Sequence, residues 1–203
     1  MRKRAAEPYT STVGSRPAFF IDRDGTLTDE VGYVNHPSRL RLLPRSAEAI
    51  RRLNEAGIPA VVVTNQAGLA REYFSEDVLH ATTAELTAQL AQQGAKLDGY
   101  YFCPHHPTEG KPPYRLACDC RKPKPGLLLR AAQEMDLDLT RSVMVGDKPS
   151  DLEVAPPVGA KSVLVLTGYG LGEWEYRRAH FRITPDHVAG DLLDAVEWGL
   201  GNT

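Results

Sequence analysis

Short apolar runs of strand length recur along the chain: "AFFI" at 18–21, "AVVV" at 60–63, "YYF" at 100–102, "SVMV" at 142–145 and "SVLVL" at 162–166. They are too short for buried helices and rich in β-branched or aromatic residues, so they read as buried strands. Amphipathic patterns fill the intervals. One runs from Ser46 to Ala56, placing Ala49, Ile50 and Leu53 on one face, and stops at Gly57. A second, capped by Ser75, carries Val78, Leu79, Thr82, Leu86 and Leu90 before Gly94. A third follows Gly126 through "LLLRAAQEM", and residues 186–198 read as a last amphipathic helix. Strands alternating with helices predict an α/β fold, an open and mostly parallel sheet with helices on both faces, because parallel neighbours need crossover connections. Ligands then belong at the carboxyl ends of the strands. The polar clusters "DRDGT", "TNQAG" and "GDKPSD" each stand there, directly after an apolar run.

At 203 residues the chain is expected to form a single domain over 18–203, preceded by a flexible arm at 1–17. The arm has a basic tip but no apolar run that could serve as a signal-peptide core. No later run has the length of a membrane span. The formal charge of -2 gives no global attraction to nucleic acid or membrane. The basic residues at 2–4 and 121–124 are too few for a nucleic-acid track. A soluble, cytoplasmic monomer is expected, acting on a small molecule. The proline-rich stretch from Pro104 to Pro125 reads as an elaborated loop, since the strand–helix rhythm resumes after it.

Side chains two apart on an extended strand point the same way, so Asp22 and Asp24 can share one pocket, with Gly25 allowing a sharp departure. Two adjacent carboxylates repel unless a cation compensates or one holds a proton, and either remedy suits catalysis. An isolated pair of this kind could equally cap a turn. This pair is accompanied by Thr64 at the end of "AVVV", by Lys122 and Lys124 ahead of the third helix, and by Asp147 and Asp151 after "MVG". A second cluster, "CPHHP" at 103–107 and "CDCRKPKPG" at 118–126, contains every cysteine of the chain. Cys103, Cys118 and Cys120 with one imidazole can close a tetrahedral zinc site over 103–120. No position remains open, so such a zinc is structural, ordering a loop that lacks a core of its own.

"DRDGTL", the strand end at Thr64, a lysine before a helix and "VGDKPSD" together resemble the four ordered motifs of the haloacid dehalogenase-like phosphohydrolases. "CPHHP" followed by "CDCRKPKPG" resembles the zinc loop of the D,D-heptose 1,7-bisphosphate phosphatases. That loop is shared with the histidinol-phosphate phosphatases, in a Rossmannoid subclass without a large cap. The resemblance implies that Asp22 is the nucleophile and forms an aspartyl phosphate, and that Asp24 is first proton donor and then base. It further implies magnesium on Asp22, Asp147 and the main-chain carbonyl of Asp24. Thr64 and Lys122 would hold the phosphoryl group, with Lys148 and Asp151 in support. His105, not His106, would be the fourth zinc ligand.

Substrate contacts implied in the same way are Glu30, Val31, Gly32 and Tyr33 on the sugar, Asn65, Gln66 and Ala67 near the transferred phosphate, and Arg121 on the distal phosphate. The implied reaction is removal of the 7-phosphate of D-glycero-D-manno-heptose 1,7-bisphosphate. The alternatives are a histidinol-phosphate phosphatase and a noncatalytic phosphosugar- or protein-binding module. The chain departs from the pattern at Ala67, where a serine is common, at Arg45 and Glu72, where glycines are usual, and at Pro156-Pro157, inside the helix expected after Asp151.

Overall fold

The computed structural model describes residues 14–202. Six strands, β1 (Phe19–Ile21), β2 (Ala60–Asn65), β3 (Gly99–Cys103), β4 (Val143–Gly146), β5 (Lys161–Val165) and β6 (His187–Ala189), form one sheet in the order β3-β2-β1-β4-β5-β6. Every pairing is parallel; Phe19 lies opposite Ala60 on one side and Val143 on the other. The chain builds outward from β1 to β3 and then returns to β4, so the order reverses between β1 and β4. A reversal opens a crevice at the carboxyl ends of these two strands.

Period-two alternation sorts the strand residues into two cores. Phe19, Ile21, Val62, Val143, Val145, Val163 and Val165 pack with Ile50 and Leu53 of α1 (Ser46–Glu55), Leu86 and Leu90 of α2 (Glu76–Gln92), and Leu192, Leu193 and Val196 of α6 (Leu192–Leu200). On the other face Phe20, Val61, Val63 and Met144 meet Leu127, Leu128, Ala131 and Ala132 of α3 (Gly126–Met135). Two short turns of helix, α4 (Pro149–Leu152) and α5 (Gly170–Gly172), follow β4 and β5. Among the described residues no helix is long and apolar enough to cross a membrane.

Two expectations change. The tail is not one helix over 186–198: Asp186 accepts hydrogen bonds from the Ser162 N–H (2.8 Å) and hydroxyl (3.1 Å), a sixth strand follows, and α6 starts only after Asp191. Of the arm expected at 1–17, residues 1–13 lie outside the described residues, whereas residues 14–17 are tied down. Ser15 N–H donates to Asp136 O (3.1 Å) and Asp138 N–H to Arg16 O (2.8 Å). Pro156-Pro157 does cut the helix after Asp151 to one turn, but Val154 and Ala155 are fully buried and Pro156–Val158 forms a 3-10 turn, so the segment behind β4 is packed.

Candidate active site

Asp22 follows β1 directly, its N–H donating to Val145 O (2.9 Å), which fixes it between β1 and β4 at the crevice. Lys122 arrives from the loop before α3 and is itself buried. Its Nζ donates to Asp22 Oδ1 (2.8 Å) and Val63 O (2.9 Å) and pairs with Asp151 Oδ1 (2.7 Å). Asn65 brackets the Lys122 backbone from both sides, accepting from its N–H and donating to its O, each at 3.1 Å. Asp151 also accepts the Lys148 N–H on its second oxygen (3.1 Å), so both of its oxygens are engaged. The expected supporting residue therefore stands between the two lysines.

Asp147 completes a buried trio: one carboxylate oxygen each from Asp22, Asp147 and Asp151 lies within 4.8 Å of the others. Burial, reinforced by the charges of Asp22 and Asp151, pushes Asp147 up to about 7. Burial would push Asp22 up as well, but Lys122 and Lys148 outweigh it and hold Asp22 below its ordinary value. Three buried carboxylates short of positive charge, all oxygen donors, suit a hard divalent cation such as magnesium. The backbone makes room for this carboxylate. Gly25 (φ +88°) and Gly168 (φ +56°) face each other, and a Cβ on either would fall 2.1 or 2.3 Å from Asp147 Oδ2. Only glycine takes such a conformation freely and tolerates that approach.

Asp24 is held by a residue the sequence reading passed over. Arg23, nearly fully buried, grips both Asp24 oxygens (Nε–Oδ1 3.0 Å, NH2–Oδ2 2.8 Å) and also donates to Tyr100 Oη (3.2 Å) and Gln66 Oε1 (3.0 Å). Gln66 Nε2 donates in turn to Asp24 Oδ2 and Thr64 Oγ1, both at 2.9 Å. Gln66 is thus committed to this network and is buried behind the cleft, while Thr64 keeps its own hydroxyl proton to donate. A signal was available in "DRD": an arginine between two strand-end aspartates is an unusual charge to turn inward, and it needs partners.

The cleft over these groups measures about 330 Å³ and includes Glu30, Gly32, Tyr33, Asn65, Ala67, Arg121 and Lys148 in its wall. Val31 faces an adjoining hollow instead. Lys148 links the two sides, its Nζ 2.9 Å from Glu30 Oε2, 3.3 Å from Asp147 Oδ1 and 4.7 Å above the Tyr169 ring. A larger hollow of about 750 Å³, between Leu69–Asp77 and Lys111–Tyr114, contains none of these groups.

Beside the cleft, Cys103, His105, Cys118 and Cys120 converge, with Sγ and Nδ1 separations of 3.2 to 3.7 Å between neighbours. A tetrahedron with ligand bonds of about 2.0–2.3 Å has edges of roughly 3.5–3.8 Å, so the cluster is nearly ligand-shaped for zinc. Hydrogen bonding from Cys103 first, against burial, draws the Cys120 thiol down to about 5, while the same contact and burial push Cys103 up. The lower value fits one thiolate already favoured in the cluster. His106 turns away: its Nδ1 accepts the N–H groups of Thr108 (3.3 Å) and Glu109 (2.9 Å). Arg121 NH1 donates to His105 O (3.2 Å), so this loop places the guanidinium at the cleft.

Arg45 (φ 64°) and Glu72 (φ 59°) are both left-handed, which explains why glycine is usual there. Arg45 is anchored to Asp191 (2.9 Å) and Asp194 (3.0 Å) and Glu72 to Lys111 (3.1 Å).

The family described as HAD-hydrolase-like matches residues 119–195. The chain is 46% identical over 189 residues to the D-glycero-D-manno-heptose-1,7-bisphosphate 7-phosphatase of Thermosynechococcus vestitus, covering 90% of this chain and 95% of that one. It is 48% identical over 154 residues to the D-glycero-beta-D-manno-heptose-1,7-bisphosphate 7-phosphatase of Haemophilus influenzae, covering 74% and 82%. Among solved structures, the D,D-heptose 1,7-bisphosphate phosphatase of B. bronchiseptica, complexed with magnesium and phosphate, superimposes with a TM-score of 0.80 at 34% identity over 93% of this chain and 100% of that one. The chain therefore belongs to the D-glycero-D-manno-heptose-1,7-bisphosphate 7-phosphatase family of haloacid dehalogenase-like hydrolases.

Proposed function

We propose that this chain hydrolyses the 7-phosphate of D-glycero-D-manno-heptose 1,7-bisphosphate. Asp22 attacks phosphorus, the P–O bond to the sugar breaks, and Asp24 delivers its proton to the departing sugar oxygen. Asp24 then takes a proton from water, whose oxygen attacks the aspartyl phosphate and releases inorganic phosphate and free Asp22. Magnesium held by Asp22, Asp147 and the Asp24 carbonyl would draw charge from the phosphoryl oxygens. Thr64 donates its hydroxyl to the phosphoryl group, and Lys122 balances the nucleophile and the incoming charge. Asp24 must turn one oxygen off Arg23 before it can reach the leaving oxygen, because both are held in the resting site.

The choice of substrate rests on Arg121, whose guanidinium enters the cleft that contains Asp22. A fork of donors in the wall of the same cleft suits a second phosphate. Histidinol phosphate would bring an ammonium and an imidazole to the same place. Glu30, Gly32 and Tyr33 face the sugar, with Ala67 by the phosphate. Asn65 and Gln66 act by holding Lys122 and Asp24, and Lys148 and Asp151 by fixing the metal loop. We assign the Cys103, His105, Cys118 and Cys120 cluster to structural zinc, and expect a monomer acting in the cytoplasm.

Phosphate release from the heptose bisphosphate and from histidinol phosphate, with magnesium, is the test, run on the wild type and Asp22→Asn. Faster release from the bisphosphate, lost in the variant, is expected. Preference for histidinol phosphate overturns the substrate, and release that survives Asp22→Asn overturns the mechanism.

A further inference from the structure

The loop expected to meet the sugar is weakly held. Val31, Gly32, Tyr33, Asn35 and His36 are exposed and only Val34 is buried. Its polar ties are mostly local: Glu30 to Lys148, Glu30 to the Gly32 N–H (2.7 Å), Tyr33 N–H to Val31 O (3.2 Å), Ser38 N–H to His36 Nδ1 (3.2 Å), and Arg39 to Tyr33 O (3.3 Å) and Asn35 Oδ1 (2.9 Å). Besides the Glu30–Lys148 pair, an aromatic contact ties the loop to the 67–73 segment. Tyr33, in the cleft wall, meets Tyr73 edge to face, with centroids 4.7 Å apart and planes at 72°. Tyr73 is not part of the cleft wall, so it reaches substrate only through Tyr33.

Tyr73 has a firm foundation. The 67–73 segment is coiled on itself, Arg71 N–H donating to Ala67 O (3.0 Å) and Tyr73 N–H to Gly68 O (2.9 Å). The cysteine-bearing loop then clasps it: Arg71 NH1 pairs with Glu109 (2.7 Å), Lys111 with Glu72 (3.1 Å), and Tyr114 Oη donates to Glu76. Gly110 (φ +83°) lies so close to Ala70 that a Cβ there would fall 1.8 Å from the Ala70 carbonyl oxygen. His106 joins the same clasp, with Nε2 3.2 Å from Arg71 NH2.

We propose that Tyr73 is a positioning residue for substrate recognition: anchored by the 103–120 loop, it buttresses Tyr33 and holds the 30–35 loop in the shape that receives the sugar. This inference rests on the substrate reading above. It also gives the cysteine-bearing loop two functional outputs, Arg121 on one wall and Tyr33, through Tyr73, on the other. The contact is made by ring faces and edges, so its hydroxyls are dispensable.

The test uses the full chain with zinc and magnesium present and compares Tyr73→Ala and Tyr73→Phe with the wild type. An aromatic pair of this kind has a typical worth that corresponds to about a three- to tenfold change. Tyr73→Ala is therefore expected to raise KM for the heptose bisphosphate about three- to tenfold, with kcat nearly unchanged, while Tyr73→Phe restores the wild-type value. Kinetics on p-nitrophenyl phosphate, which offers no sugar, should not move. Hydrogen exchange of the 30–35 amides, measured without substrate, should speed up in Tyr73→Ala and not in Tyr73→Phe. Unchanged exchange overturns the buttress whatever the substrate. Equal losses on both substrates, or no rescue by phenylalanine, overturn it as well. A wild type indifferent to the heptose bisphosphate, with exchange behaving as described, would instead remove the substrate reading and leave the buttress standing.

Discussion

Replacing Asp147 by asparagine should stabilise the magnesium-free protein at alkaline pH while destroying its activity. The side chain is completely buried and its pKa is raised from 3.8 to about 7, by burial and then by Asp22 and Asp151. An acid raised on folding binds its proton more tightly in the native state. Its penalty is therefore absent below about pH 4, grows as pH rises, and is complete above about pH 7. Three units correspond to a ceiling of about 4 kcal/mol. The amide gives up the attraction to Lys148 at 3.3 Å but can still accept from the Tyr169 N–H at 2.9 Å. A gain of about 1–3 kcal/mol at pH 8 remains, or roughly 3–10 °C in melting temperature for a chain of this size. Thermal melts of zinc-loaded protein at pH 5 and pH 8, with and without magnesium, measure it. The wild type should gain more from magnesium at pH 8 than at pH 5, and Asp147→Asn should show little of either dependence. A wild type equally stable at both pH values without magnesium, or an asparagine variant less stable than wild type at pH 8, would refute the reasoning.

Lys122→Met should do the opposite, leaving Asp22 and Asp151 without their shared ammonium; loss of one partner in a buried charge cluster costs about 3–5 kcal/mol. Urea melts should show that loss at pH 8 and a smaller one at pH 5, alongside abolished phosphate release. If the cysteine cluster holds zinc as proposed, Cys118→Ala should abolish zinc binding, read by metal analysis, and lower the melting temperature, whereas His106→Ala should keep the metal because His106 faces Arg71 and Glu109. At Glu72 the backbone is left-handed, so Glu72→Gly should be more stable than Glu72→Ala by about 1 kcal/mol in denaturant melts, both variants having lost the tie to Lys111.

The part of the fold that carries chemistry was readable because β1, β2 and β4 are apolar runs that stop at polar or charged residues, and burial on both faces leaves little else for such runs to be. β6 was not readable. "HVA" is three residues long, too short to show a period, and Asp186 before it resembles a helix cap while in fact holding Ser162. That Asp22, Asp24, Thr64 and Lys122 would gather at one cleft was also readable, but not which partners hold them there. Asn65 and Gln66 spend their amides on Lys122 and Asp24, a matter of distances across strands that no spacing along the chain encodes. Likewise His105 and His106 are equivalent as letters. The bridge between His106 and Arg115 turns one imidazole out of the cysteine cluster and leaves the other inside. The role of Arg23 was not readable because two of its partners, Tyr100 and Gln66, lie 77 and 43 residues away along the chain.

The central position of β1 bears on how the protein is made. Its strand is the first to leave the ribosome, yet it cannot be flanked until β2 and β4 exist, and the contact of Ala18 with Ser142 spans 124 residues. Asp22 must then wait across 100 residues for Lys122. Closing such long loops costs entropy before any contact repays it, which slows folding and ties the site to completion of the sheet. A nascent or truncated chain thus carries Asp22 without Lys122 or Asp147, so phosphate release reports on whether synthesis and folding ran to the end.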